Sequence, residues 1–169
     1  LPPALLSSQP INVRRPTAPL SLEEKSMNVA HILGNKGAEV VSVQPHRTLG
    51  EATRTLAEKR IGAVVVTGAD GGLLGILSER DIIKALGTDG AAALETPVSR
   101  AMTAKVVTCR SDTSVDELME IMTSGRFRHV PVVDAGRIAG IVSIGDVVKH
   151  RVAEIEAESR AMRDYIAMA

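Results

Sequence analysis

The chain has no tryptophan and only two aromatic residues, Phe127 and Tyr165, too few for a platform on which the bases of single-stranded nucleic acid stack. Its one cysteine, Cys109, excludes an internal disulfide and a multi-cysteine zinc site. A single thiol also fits a reducing compartment, so the cytoplasm is the expected location. Neither sign of charge is in excess: 20 Lys and Arg offset 20 Asp and Glu. That balance removes the overall basic field that draws proteins to nucleic acid or acidic lipid, and any anion site must be local. No apolar run approaches the roughly 18 residues of a membrane span, and the opening segment lacks the basic-then-apolar order of a signal peptide. His31, His46, His129 and His150 show no i, i+4 spacing, and no metal site is expected.

What remains suffices for a packed core, since 44% of the 169 residues are apolar. Residues 1–26 are rich in proline and read as a flexible arm. The chain begins with Leu, and Met27, just before the amphipathic VAHIL, is a candidate start.

Beyond the arm the sequence repeats. At an offset of 66 residues, VVSVQPHRTLGEATRTLAEKRIGAVVV from Val40 falls on VVTCRSDTSVDELMEIMTSGRFRHVPV from Val106. The register slips by one at a turn and resumes through LLGILSERDII (Leu73 to Ile83) and IAGIVSIGDVV (Ile138 to Val148). Each copy opens with a β-branched run, Val40–Val43 or Val106–Thr108, of strand type. A capping box follows, Thr48 with Glu51 and Ser114 with Glu117. Helical periodicity then runs over 48–60, through Leu49, Ala52 and Leu56, and over 114–124, through Val115, Leu118, Met119 and Met122. Two strands come next, Ala63–Thr67 with Leu73–Leu77 and His129–Val133 with Ile138–Val142, each pair joined by a Gly-containing hairpin turn. The glycine-rich GADGG from Gly68 precedes a strand, so it is a turn and not a phosphate loop. Each copy ends in a helix that starts at Ser-x-x-Asp. A β-α-β-β-α unit of this size buries too little surface to stand alone, so two are expected to pack sheet against sheet around a pseudo-twofold axis, with clefts between them.

The Ser-x-x-Asp pairs, Ser78 with Asp81 and Ser143 with Asp146, place a hydroxyl and a carboxylate at a helix N-terminus. Two readings follow for Asp81 and Asp146: a capping box built with Asp, or an acceptor for the paired hydroxyls of a ribose. Phosphate needs positive charge, best presented by Arg. The second copy carries Arg126, Arg128 and His129 where the first has Arg60, Gly62 and Ala63, and the first has Arg80 in SERD where the second has Gly145 in SIGD. The plain alternatives are a solvated helix-start residue for Arg80 and a surface strand residue for Arg128. Cys109 reads as a small buried apolar residue. After Asp146 the chain runs without Gly or Pro through a helix of five or six turns. Its interrupted apolar stripe is Val148, Val152, Ile155, Met162, Tyr165 and Ile166. That stripe packs on its own module or a symmetry mate, or else binds a partner.

This order of elements closely resembles the cystathionine-β-synthase (CBS) domain pair, or Bateman module, over about residues 28–150. G-I-[LV]-S-x-x-D ends each copy, and F-R-H-V-P-V-V-D lies in the second. The resemblance implies an α+β fold of tandem β-α-β-β-α CBS repeats, with repeat 1 over 27–94, repeat 2 over 95–150 and a C-terminal helix over 151–169. It also implies adenine-containing ligands: AMP first, with ADP, ATP, S-adenosylmethionine or NAD(H) as others. Ribose would sit on Asp146 and Asp81. Because the residue before the Asp of one copy is implied to reach the phosphate of a nucleotide held by the other, Arg80 and Arg128 would converge on a ligand at Asp146. Arg126 and His129 are the further phosphate candidates; the Asp81 cleft, with only Arg128 or His129 from across the interface, would bind more weakly, bind a different ligand or stay empty. Adenine would lie against Thr103, Lys105, Val107 and Ser143, or against Gly37, Glu39, Val41 and Ser78, although Val41 and Val107 also read as core strand residues. The expected protein is a homodimeric sensor without catalytic activity. The alternatives are a structural dimerisation module with vestigial sites, or a regulatory fragment of a nucleotide-metabolism enzyme.

Overall fold

A computed structural model describes residues 27–37 and 39–168; the arm expected over 1–26 lies outside the described residues. The first half contains β1 (Ser42–Val43), α2 (Leu49–Lys59), β2 (Ala63–Thr67), β3 (Leu73–Ser78) and α3 (Glu79–Asp89), preceded by α1 (Val29–Lys36). A 3-10 turn (Gly90–Glu95) and the short α4 (Val98–Ala101) lead into α5 (Val115–Gly125), β4 (His129–Asp134), β5 (Arg137–Ser143) and α6 (Ile144–Met168). The repeated α+β order is the expected one.

The same local devices build both halves. Each hairpin carries a register shift at the matching place, between Val66 and Thr67 and between Val132 and Val133. The first turn is fixed by Asp70, whose Oδ1 accepts the Gly72 N–H at 3.1 Å. The second uses Ala135 and Gly136 at φ of 48° and 76°, the left-handed pair that matches strand twist. After each hairpin the chain returns to its own half in the same way: Glu79 N–H donates to Gly62 O at 3.0 Å, and Ile144 N–H to Arg128 O at 2.8 Å.

Thr48 and Glu51 form the full capping box of α2. In α5 only half of it forms: Ser114 Oγ accepts the Glu117 N–H at 3.1 Å, without the return bond. Both helix starts are met by the segment from the other repeat in the same way: Asn28 pairs with Ser114 as Pro97 pairs with Thr48.

The expected strand Val106–Thr108 is absent. In the first half β1 runs parallel to β2, and Val65 N–H donates to Val41 O at 3.3 Å. The residue aligned with Val65 is Pro131, which has no N–H to give to Val107. Pairing there shrinks to a bridge between Cys109 and Val132, and Val107 is left 47% exposed at the edge of a cavity. Cys109 itself is buried, and burial first, then the Asp134 charge, push its thiol up to about 11.

Two cores result. One holds Leu49, Leu56, Val64, Val66, Leu77 and Ile82; the other holds Val115, Leu118, Met122, Val130, Val132, Val142 and Val147. Each is completed by the segment that precedes the other repeat. Val29 and Ile32 of α1 pack into the second core, whereas Ala93 and Val98 pack into the first. Matching backbone bonds fix the exchange: Val98 N–H to Arg47 O at 2.7 Å and Leu49 N–H to Thr96 O at 2.9 Å, against Val29 N–H to Thr113 O at 2.9 Å and Val115 N–H to Met27 O at 3.0 Å. This exchange leaves residues 103–108 to run across the mouth of the first half, held by a two-bond bridge between Ile76 and Thr103.

Candidate functional site

Between the halves lies a cavity of about 310 Å³. The first half supplies Gly62, Ile76, Ser78, Arg80 and Asp81, and the second supplies Thr103, Lys105, Val107, Phe127, Arg128 and His129. The N-terminus of α3 provides its chemistry. Ser78 caps the helix, and its N–H and hydroxyl donate to Asp81 Oδ2 at 2.8 and 2.7 Å. Both cap bonds therefore fall on one oxygen. Oδ1 has no hydrogen-bond partner among the described residues, so the cap and a ligand contact are compatible in the same carboxylate.

Arg80 crosses to the other half, where its Nη1 donates to Arg126 O at 2.9 Å. Arg126 ends α5 in the left-handed conformation at φ 55°, which presents that carbonyl. Its exposed side chain does not line the cavity, so Arg126 contributes a backbone oxygen rather than the expected cation. Arg80, Lys105 and Arg128 give the lining three cations against the single carboxylate of Asp81. His129 adds no charge near neutral pH. Burial, followed by the nearby charges of Arg128 and Lys36, holds its imidazole below the usual histidine value, and Glu79 and Asp146 oppose them only in part. The neutral ring offers one N–H donor and one acceptor. It fits because position 62 is glycine: a Cβ there would stand 3.0 Å from His129 Cε1.

The grouping differs from the expected one. Arg80 and Arg128 do converge, but with Asp81 and not with Asp146. Thr103, Lys105 and Val107 face the same cavity, alongside Ser78 and not Ser143. Ser143 instead borders a wider groove with Gly145, Glu79 and Ile83, to which Arg128 and His129 also belong. Val41 packs against the first core.

Asp146 has a third donor, but all three fall on one oxygen, so its Oδ1, like that of Asp81, has no hydrogen-bond partner among the described residues. Its Oδ2 takes the Ser143 N–H at 2.8 Å, the Ser143 hydroxyl at 2.9 Å and the Lys36 ammonium at 2.5 Å. Lys36 Nζ also reaches Ile141 O at 3.1 Å. Partial burial pushes the Asp146 carboxyl up, but Lys36 and the two Ser143 donors outweigh it and leave the group below the ordinary aspartate range. Lys36 and Phe127 were not among the expected site residues. The Lys36 contact spans 110 positions and follows from the packing of α1 on the opposite repeat, which no local pattern announces.

A tandem α+β module whose two copies enclose a carboxylate at a helix start and a cluster of cations is the class that fold and site define. Residues 35–88 and 98–153 each match the model of the CBS domain, and the chain belongs to that family. It is 35% identical over 112 residues to a 17.7 kDa protein of Acidianus ambivalens, an alignment that spans 66% of each chain. Among solved structures, a CBS-domain containing protein of Agrobacterium tumefaciens shares 57% identity at a TM-score of 0.73, covering 74% of this chain and 99% of the other. The CBS domain pair of protein MJ0100, in complex with 5′-methylthioadenosine and S-adenosyl-L-methionine, shares 26% identity at a TM-score of 0.68, over 76% and 98%. No helix among the described residues is long and apolar enough to cross a membrane.

Proposed function

We propose that the chain is a non-catalytic sensor that binds one adenine mononucleotide, AMP first among them, in the cavity at Asp81. The observation that carries this reading is the company Asp81 keeps: its carboxylate, with Oδ1 unpartnered among the described residues, lines one cavity with Arg80, Lys105 and Arg128, whereas Asp146 lies outside that cavity with Lys36 bonded to it. Asp81 accepts the ribose hydroxyls, the cations take the phosphate, and Ile76, Val107 and Phe127 offer apolar surface to the base.

Size and charge select among adenine ligands. A volume of about 310 Å³ is at the small end of ligand pockets and favours a mononucleotide over NAD(H). Three cations favour a phosphate dianion over the sulfonium of S-adenosylmethionine, one of the two ligands of the MJ0100 pair. ADP and ATP retain the same ribose and first phosphate and are expected to follow AMP. Because the lining comes from both halves, a bound nucleotide ties them together and biases their relative arrangement, provided it binds one arrangement better than another.

Calorimetric titration of AMP, ADP, ATP, NADH and S-adenosylmethionine tests the reading. Saturable AMP binding with one site per chain, tighter than adenosine, is expected. Heats indistinguishable from dilution for all five would leave a folded module with vestigial sites.

A further inference from the structure

The last helix carries a pattern that neither its own module nor the nucleotide cleft uses. One face of α6 is committed to the module: Val147 is buried, and His150 and Glu154 are half-buried along the same side. A second face is not. Val148, Val152, Ile155, Ser159, Met162 and Ile166 recur at alternating spacings of four and three, the a/d seam of a coiled coil. At about 100° per residue this seam lies roughly 60–140° around the helix from Val147, so both faces can be engaged at once. The five apolar members are 49% to 67% exposed. Valine and isoleucine at positions a (Val152, Ile166) suit two strands, with Ser159 as the one polar a layer.

Charge decides the partner and its direction. With Val152 at a, the flanking g positions are Arg151 and Glu158, and the e positions are Glu156 and Arg163. In a parallel pair of identical helices, g meets the following e of the other chain. Arg151 then faces the second copy's Glu156, and Glu158 faces its Arg163. Two-fold symmetry doubles both attractions. The antiparallel arrangement with full overlap sets Glu156 against Glu156, Glu158 against Glu158 and Lys149 against Arg163, all repulsive. Arg151 now rests on Glu154 at 2.6 Å and near Asp116 at 3.8 Å, exposed contacts that a guanidinium can share or exchange at little cost.

We infer that α6 pairs with α6 of a second copy as a parallel two-stranded coiled coil over about residues 148–166. The dimer is held outside the nucleotide cavity. The assignment does not rest on nucleotide binding, and its failure would leave that reading intact.

Cysteine cross-linking of the full chain tests it. Met162→Cys puts two sulfurs face to face at a d layer in the parallel pair, whereas the antiparallel pair sets residue 162 opposite residue 152. The buried native Cys109 is a silent background, since its thiol stays protonated. Mild oxidation is expected to give a reducible dimer with Met162→Cys and none with the wild type. Adding Glu158→Arg should cut the cross-linked fraction several-fold, and adding Arg163→Glu to that variant should restore it. Circular dichroism confirms that each variant is folded, and AMP titration reads the cleft separately. Folded protein that gives no cross-link at position 162, or cross-linking indifferent to Glu158→Arg, overturns the inference.

Discussion

Asp81→Ala separates the two roles that one carboxylate holds. Its loss removes the acceptor for the Ser78 N–H and hydroxyl, bonds of 2.8 and 2.7 Å, and with them part of the α3 cap. Capping losses of this kind cost about 0.5–2 kcal/mol, and about 1 kcal/mol shifts the melting of a chain this size by roughly 2–4 °C. The ligand-free variant should therefore remain folded and melt a few degrees lower. Binding should suffer more. Hydrogen bonds to a charged acceptor are worth about 1.5–3 kcal/mol each, and a net loss of about 2–3 kcal/mol in an open cleft weakens AMP by about 30- to 150-fold. Asp146→Ala is the matched control: it caps the equivalent helix but lies outside the cavity, with Lys36 and Ser143 on its Oδ2, and AMP affinity should stay within about threefold of wild type. Titration calorimetry gives the affinities, and circular dichroism melts give the stability. If Asp81→Ala binds AMP like the wild type, Asp81 is only a cap; if the loss appears in Asp146→Ala instead, the nucleotide has been assigned to the wrong half.

Arg128→Ala should weaken AMP by at least about tenfold more than adenosine, and equal losses would contradict a phosphate contact. Gly75→Ala would place a Cβ 2.8 Å from Met102 Sδ and 2.9 Å from Thr103 O. Because Thr103 O accepts the Ile76 N–H and Thr103 lines the cavity, AMP binding should fall about tenfold; unchanged affinity would show that this bridge does not shape the site. Lys36 holds the Asp146 carboxyl below its unfolded value of about 3.9, so its contribution is present above that pH and is lost as pH falls through the lowered folded value. Melting temperatures of Lys36→Met should consequently fall less than those of the wild type between about pH 5 and 2, and parallel curves would refute the coupling. Leu118 is fully buried in the second core, and Leu118→Ala should cost about 2–5 kcal/mol by denaturant titration; a loss under about 1 kcal/mol would contradict its central place.

Local order was legible in the sequence because local chemistry sets it. The apolar spacing at Leu49, Ala52 and Leu56 and the Thr48–Glu51 box mark α2 within a residue, and the hairpins follow from their glycine-containing turns. Pro131 was equally visible, but its effect needed the register: only once it is aligned with Val65 does the missing N–H explain why residues 106–108 form no strand. The site was half legible. Asp81, Arg80, Arg128, Thr103 and Lys105 were singled out individually, whereas their assembly in one cavity depends on how α1 and residues 93–98 are exchanged between the repeats. The same exchange delivers Lys36 to Asp146, so near-identical Ser-x-x-Asp motifs end in different electrostatic settings.

The most direct test of the central claim is a crystal structure of the chain grown with AMP. Electron density for the nucleotide between the halves is expected, with the ribose hydroxyls on Asp81 Oδ1 and the phosphate among Arg80, Lys105 and Arg128. Nucleotide density at Asp146 with Lys36 displaced, or an empty Asp81 cavity at saturating AMP, would contradict it.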